Sequence, residues 1–168
     1  MIAKWIIHII TRNRIKVNKL LKRLGRKTRN KNILEIGSGK SDYYSAKRFF
    51  DNSNNFKKSD KNGEFKHELV DITKVNFNES YDMIICVNVL EHIYDFKLGI
   101  DNIYKSLKNN GKAIFWIPFM YPLHDEPEDY FRYTEYAIIK LLNQFNQIKI
   151  KHHGLKRFPF AYYIEAIK

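Results

Sequence analysis

Nine residues, Ile33 to Ser41, set the kind of fold open to this chain. They read I-L-E-I-G-S-G-K-S. An apolar run, Ile33, Leu34 and Ile36, is stopped by Gly37-Ser38-Gly39 and followed by residues able to open a helix. Strand, glycine turn and helix N-terminus, in that order, is how a parallel sheet receives a nucleotide-like ligand. Glycine serves there because it admits a ligand to bare backbone and tolerates positive φ. Asp60 follows Gly39 by 21 positions, near the spacing of a carboxylate that binds a ribose. A phosphate-cradling loop would need glycine at position 34, where Leu34 stands, and a dinucleotide fingerprint would need glycine at Asp42. What remains is the shorter E-x-G-x-G form, with Glu35 near the ligand edge of the strand.

After the glycine turn the pattern alternates. Strands are expected at Lys31–Ile36, Phe56–Ser59, His67–Ile72, Tyr81–Val87, Lys112–Ile117, Gln147–His152 and Ala161–Ile167. Helices are expected at Ser41–Phe50, Phe96–Leu107 (closed by Asn109-Asn110-Gly111) and Thr134–Phe145, with Thr134 as cap. The run M-I-I-C-V within Tyr81–Val87 suits a strand buried on both faces, so Cys86 reads as a buried, inert thiol. The whole predicts an α/β, Rossmann-like, doubly wound sheet in three α/β/α layers. It is mostly parallel, with an antiparallel C-terminal strand. Only six residues separate Asp60 from His67, too few for a helical crossover, so Asn52–Glu68 is the stretch that fits this plan least.

Charge divides the chain. Residues 1–34 carry eleven Lys or Arg and no Asp or Glu, while the remainder holds 19 basic against 18 acidic residues. Ile6, Ile10, Val17, Leu20, Leu21 and Leu24 recur at helical spacing between Lys16, Lys19, Lys22 and Arg23. This predicts a basic amphipathic helical extension over residues 1–30, ending near Gly25, ahead of a domain over 31–168. Three uses stand open for residues 1–24. The apolar stripe packs on the domain, or Trp5 and the isoleucines rest on an anionic membrane, or the lysines bind nucleic acid. Nucleic acid is disfavoured because the rest of the chain has no basic excess. The opening apolar run is too short to span a bilayer and lacks the order of a secretory signal. A cytoplasmic location is therefore expected, with peripheral contact at the inner membrane face as an option.

The segments L-E-I-G-S-G-K, Ser59-Asp60, V-D-I-T, Y-D-M-I-I-C-V-N-V-L-E-H and L-K-N-N-G-K-A-I-F-W-I-P-F, in that order, resemble class I S-adenosylmethionine-dependent methyltransferases. The stretch from Pro118 to Thr134 is similar to a subgroup found beside surface-polysaccharide and glycan synthesis enzymes. The resemblance implies S-adenosyl-L-methionine as cofactor. Gly37, Ser38 and Gly39 would line its methionine and ribose portion, and Glu35 would orient its amino-acid end. Asp60 would accept from the ribose hydroxyls, Asp71 with the Ile72 backbone would read the adenine amino group, and Asn88 and Val89 would flank the sulfonium. Each has a structural counterpart: G-x-G is also an ordinary turn, Asp60 a solvated loop residue, Asp71 a helix cap, Asn88 a turn former. The ordered set favours function.

Chemistry on an acceptor falls to two clusters at the sheet's carboxyl edge. One is Glu91-His92; the other is His124-Asp125-Glu126 with Tyr121, Asp129, Tyr130 and Arg132. For a hydroxyl acceptor, His124 is the candidate base, with Asp125 or Glu126 as its orienting partner. His92 reads as structural or cofactor-side. No metal is expected, because H-D-E is too compact, no second histidine lies three or four residues away, and His152-His153 point to opposite faces. The leading expectation is methyl transfer to a hydroxyl of a saccharide or glycan precursor. The alternatives are an RNA methyltransferase and a non-catalytic module that binds a partner or membrane.

Overall fold

The structure, a computed structural model, describes residues 2–75 and 77–168, with side chains from Ile7 onward. Trp5 and Ile6, both invoked for the first helix, lie outside the described side chains. Seven strands form one sheet in the order β3-β2-β1-β4-β5-β7-β6. They are β1 (Asn32–Ile36), β2 (Asn55–Asp60), β3 (Glu68–Leu69), β4 (Tyr81–Val87), β5 (Leu107–Pro118), β6 (Gln147–Leu155) and β7 (Phe158–Ile167). β1 to β5 pair in parallel, β7 runs antiparallel to β5, and β6 antiparallel to β7. Chain order reverses between β1 and β4, which opens a crevice at their carboxyl ends.

Alternation along the central strands feeds two cores. Leu34, Ile36, Ile84, Cys86 and Phe115 face α2 (Phe96–Ser106) and α3 (Glu135–Leu141), which supply Ile100, Ile103 and Ile138. Ile33, Met83, Ile85, Ile114 and Trp116 face the other way, against Val17 and Leu21 of α1 (Ile2–Gly25). The Cys86 thiol is buried as expected, and burial pushes its pKa up.

The basic helix is thus one covering layer of the sheet. Among its described side chains the buried positions are Ile9, Asn13, Val17, Leu21 and Gly25, spaced by four. This differs from the expected stripe: Ile10 is exposed and Ile9 is inside, because a four-residue step back from Val17 lands on positions 13 and 9. At Gly25 the helix meets the chain so closely that a Cβ would lie 2.1 Å from the Phe49 carbonyl oxygen. Among the described residues no helix is long and apolar enough to cross a membrane.

Four expected elements come out differently. The helix at Ser41–Phe50 is replaced by a turn and a single 3-10 turn, Ala46–Phe49. Glu35 binds Ser45 Oγ and Ala46 N, each at 2.5 Å, and the Phe49 carbonyl lies close against Gly25 of α1. The third strand shrinks from His67–Ile72 to Glu68–Leu69, ahead of which Lys66 turns left-handed with φ of 56°. A short 3-10 turn, Gly63–Phe65, still carries the chain from β2 to a parallel β3. The Asn109-Asn110-Gly111 turn lies within an irregular first part of β5, where pairing shifts from Tyr81↔Leu107 to Met83↔Lys112. Thr134 caps α3 as expected, accepting from Ala137 N at 3.2 Å, but the helix ends at Leu141.

Candidate active site

The site grows from the carboxyl end of β1. Gly37 and Gly39 both hold positive φ, 71° and 68°, which only glycine adopts without strain. A Cβ on Gly37 would sit 2.5 Å from Val89 Cγ2, so Val89 packs directly on the turn. Around Gly39 the nearest atom to such a Cβ is 4.0 Å away, so this backbone faces open space. Asp60, nearly buried at the end of β2, accepts from Gly39 N and Asn62 N, each at 3.0 Å. His67 Nε2 meets the Gly39 carbonyl at 2.9 Å.

Glu35 borders the large cavity and also serves the loop, whereas Ser38 takes another place than expected. The Glu35 carboxylate accepts from Ser38 Oγ at 3.0 Å, as well as from Ser45 and Ala46. Its oxygens tie the loop together from beneath, so Glu35 is a positioning residue. Burial raises its pKa, against these hydrogen bonds and Lys58. Ser38 is 1% exposed, gives its backbone N–H to Ser59 O and turns its hydroxyl inward, away from the cavity.

Glu35, Gly37, Gly39, Asp60, Asp71, Ile72, Asn88 and Val89 all border one cavity of about 610 Å³. Asn62, Phe65 and Val70 complete its far wall, so the short Asn52–Glu68 region does build a side of the pocket. Asp71 also serves its own turn: one oxygen accepts from Thr73 N and Oγ1, and the other lies 3.1 Å from Lys74. Partial burial works against ionisation, but Thr73 and Lys74 outweigh it and hold the carboxyl below its ordinary value. Asn88, left-handed with φ of 53°, gives its N–H to Trp116 O, while its side-chain oxygen is buried without a partner among the described residues.

A second cavity of about 330 Å³ adjoins the first and shares Arg14, Tyr44, Asn88 and Tyr121 with it. Its other wall is α1, with Asn13 and Asn18, and its floor includes Trp116. Both polar atoms of the Asn13 amide, Asn18 Oδ1 and Arg14 Nη1 are buried without partners among the described residues. Arg14 stacks over Tyr44, 4.6 Å from the ring centre, and burial lowers its pKa. Sequence reading missed this wall; buried asparagines amid the lysines of α1 were its only signal.

The loop after β5 folds back onto the carboxyl end of β4. Arg132 grips Asp129 with two bonds, 2.6 and 2.7 Å, and donates to Pro122 O. Tyr130 N donates to Glu91 O, and Tyr133 Oη to Leu90 O. A Lys61–Glu128 ion pair joins this loop to the residues after β2. The result brings His124 to His92, Nε2 to Nε2 at 3.1 Å. Glu91, wholly buried, lies 3.7 Å from His124 and 3.9 Å from His92.

Asp125 and Glu126 are exposed and do not orient His124. Asp125 instead stands 4.0 Å from His92 Nε2. Asp129 is the partner: its carboxylate accepts from His124 N at 3.1 Å and faces Nδ1 at 3.3 Å. Glu91 foremost, then Asp129 and the Pro122 carbonyl, raise the His124 pKa against burial. Arg132 holds Asp129 down to about 2. A carboxyl depressed in the fold stabilises it above the ordinary value of 3.8 and loses that contribution as pH falls through about 2. Acid titration of unfolding should therefore show a shallower loss of stability over this window in Asp129→Asn than in the unaltered chain.

A family model described as a methyltransferase domain matches residues 8–139, most of the chain. The chain belongs to this family. Solved structures agree on the fold. The N-methyltransferase NodS of Bradyrhizobium japonicum WM9 is 16% identical, with a TM-score of 0.70; the match covers 93% of this chain and 96% of that one. A possible exported protein from Bordetella parapertussis is 14% identical with a TM-score of 0.70, covering 91% of this chain and 67% of that one. The 1,6-didemethyltoxoflavin-N1-methyltransferase of Burkholderia thailandensis, solved with S-adenosylhomocysteine, is 13% identical with a TM-score of 0.66; coverage is 90% and 77%. Curated proteins yield no match to this sequence. The methyltransferase assignment therefore stands on the family match, and the neighbours show a shared architecture.

Proposed function

We propose that this methyltransferase passes the methyl group of S-adenosylmethionine to a hydroxyl of a small polyhydroxylated acceptor, a saccharide or glycan precursor. The observation that carries the reading is the pair of joined cavities. The larger holds the glycine turn with the carboxylates of Asp60 and Asp71; the smaller is lined by amides without partners among the described residues and by aromatic rings. The donor fits the residues present. Open backbone at Gly39 admits an adenosyl group closely, and Asp60 retains free lone pairs for a vicinal diol. The Asn88 side-chain oxygen suits a neighbouring positive charge.

Held by Gly37, Gly39 and Asp60, S-adenosylmethionine would supply a sulfonium-bound methyl for the acceptor oxygen, with S-adenosylhomocysteine as the leaving group. The chain's own work is alignment and proton removal. Asn13 and Asn18 offer hydrogen bonds to hydroxyls, Trp116 and Tyr121 offer faces to a sugar's C–H side, and Arg14 offers a cation to a carboxylate at the junction. His124, oriented by Asp129 and bordering the larger cavity, takes the hydroxyl proton on Nε2; Asp125 stands exposed beside it.

Two measurements test this. S-adenosylhomocysteine should raise the melting temperature of the protein, since a native-state ligand at about 100 times its Kd adds about 2.7 kcal/mol. Mass spectrometry of sugars incubated with protein and donor should show gain of one CH2. Asn13→Leu should lower acceptor methylation about tenfold or more while the melting shift persists, because a truncated hydrogen bond costs about 1–2 kcal/mol. No melting shift would remove the donor from the reading; a shift without any methylated sugar would remove the acceptor class.

A further inference from the structure

The two histidines at the mouth of the larger cavity pose a protonation problem. His92 Nδ1 lies 2.7 Å from the Glu128 carbonyl oxygen, which only accepts, so Nδ1 carries the ring proton. His124 Nδ1 faces the Pro122 carbonyl at 3.2 Å and Asp129 Oδ2 at 3.3 Å, also acceptors, so it too is protonated there. In neutral rings both Nε2 atoms then present bare lone pairs, yet they face each other at 3.1 Å. Glu91 adds a third acceptor. Its side chain is 0% exposed, and neither carboxylate oxygen has a hydrogen-bond partner among the described residues. Among the described residues these three acceptors converge on one point, which a proton shared on His124 or a bound cation would satisfy.

We propose that His92 Nε2, His124 Nε2 and the Glu91 carboxylate hold one divalent transition-metal ion of the zinc class. Their ligand atoms lie within 4.8 Å of one another. A tetrahedral ion with bonds of about 2.0–2.1 Å sets its ligand atoms about 3.3 Å apart. The 3.1, 3.7 and 3.9 Å separations reach that with shifts of a few tenths of an ångström. The outer contacts are those of a metal centre: each ring gives its remaining N–H to a carbonyl or carboxylate, fixing tautomer and direction. Two histidines and one glutamate leave a position open, as in catalytic zinc sites, and both histidines border the cavity.

The task given to this ion rests on the acceptor reading above. A hydroxyl in the open position would be acidified by the ion, with its proton passing to Asp125 or to water, and His124 would serve as ligand in place of base. Sequence spacing excluded a metal because it weighed histidines close in the chain, whereas these are 32 residues apart and meet only through the loop after β5.

The test uses the full chain, stripped with chelator and then given zinc, or cobalt(II) as a visible reporter. Expected is one ion per chain after desalting, with a cobalt absorption band. His92→Ala and His124→Ala should each lose the bound ion at least tenfold. His152→Ala should keep it, since that imidazole pairs with Glu135 at 2.9 Å away from the cluster. Folding of each variant is read from its melting curve, and both targeted histidines are partly exposed. Failure of the unaltered chain to bind the ion, or equal binding by all variants, would overturn the site and leave a shared proton in its place. S-adenosylhomocysteine titration of the metal-free chain reports on the donor separately. A melting shift without metal binding ends this inference alone; metal binding without a shift ends the donor reading alone.

Discussion

Asp60→Ala should weaken S-adenosylhomocysteine binding by about a hundredfold or more. Hydrogen bonds to a charged group are worth about 1.5–3 kcal/mol each, and a ribose diol offers two, while about 1.4 kcal/mol is a factor of ten. The loss has a second part. Asp60 also accepts from Gly39 N and Asn62 N, so its removal frees both the glycine turn and the residues beyond β2. Asp60→Asn keeps one acceptor oxygen and should lose less. Isothermal titration gives the affinities, and a melting curve without ligand shows whether the fold is intact. Equal affinity in the folded alanine variant would mean the adenosyl group does not lie against β2.

Glu35→Ala should cost the fold about 3–5 kcal/mol. Its carboxylate serves three donors, Ser38 Oγ, Ser45 Oγ and Ala46 N, in a buried place where each orphaned group costs about 1–3 kcal/mol. Glu35→Gln retains the volume and one acceptor oxygen and should recover part of the loss. The pH dependence has a definite sign. Burial sets the Glu35 pKa above its ordinary value of 4.5, so the folded state holds its proton more tightly than the unfolded chain. That contribution is complete below the ordinary value and disappears as pH rises through the folded one. Glutamine has no such proton, so urea midpoints of Glu35→Gln and the unaltered chain should converge as pH rises over that range. A gap independent of pH would mean Glu35 is ionised in the fold throughout.

The sheet was legible because its strands carry local signals. The apolar run Met83 to Val87 and the glycine break after Ile36 state strand and turn within a few residues. The cofactor side followed the same logic: Gly37, Gly39, Asp60, Asp71 and Asn88 stand at strand ends, and chain order alone puts them in one crevice. What stayed hidden depends on distant packing. Ser38 reads as a ligand contact until Glu35 is seen to draw its hydroxyl inward. Asp129 and not Asp125 orients His124, because the Arg132 clamp turns the loop so that the more distant carboxylate is the inner one. The Ser41–Phe50 helix was expected from its own composition, and the pressure of α1 on Phe49 lay nowhere in that segment.

Helix α1 has two sides with different employers. Lys16, Lys19, Lys22 and Arg23 look outward, while Asn13, Arg14 and Asn18 look into the smaller chamber. One stiff rod carries both. A substitution that shifts this helix would therefore reach its basic outer face and the chamber wall together.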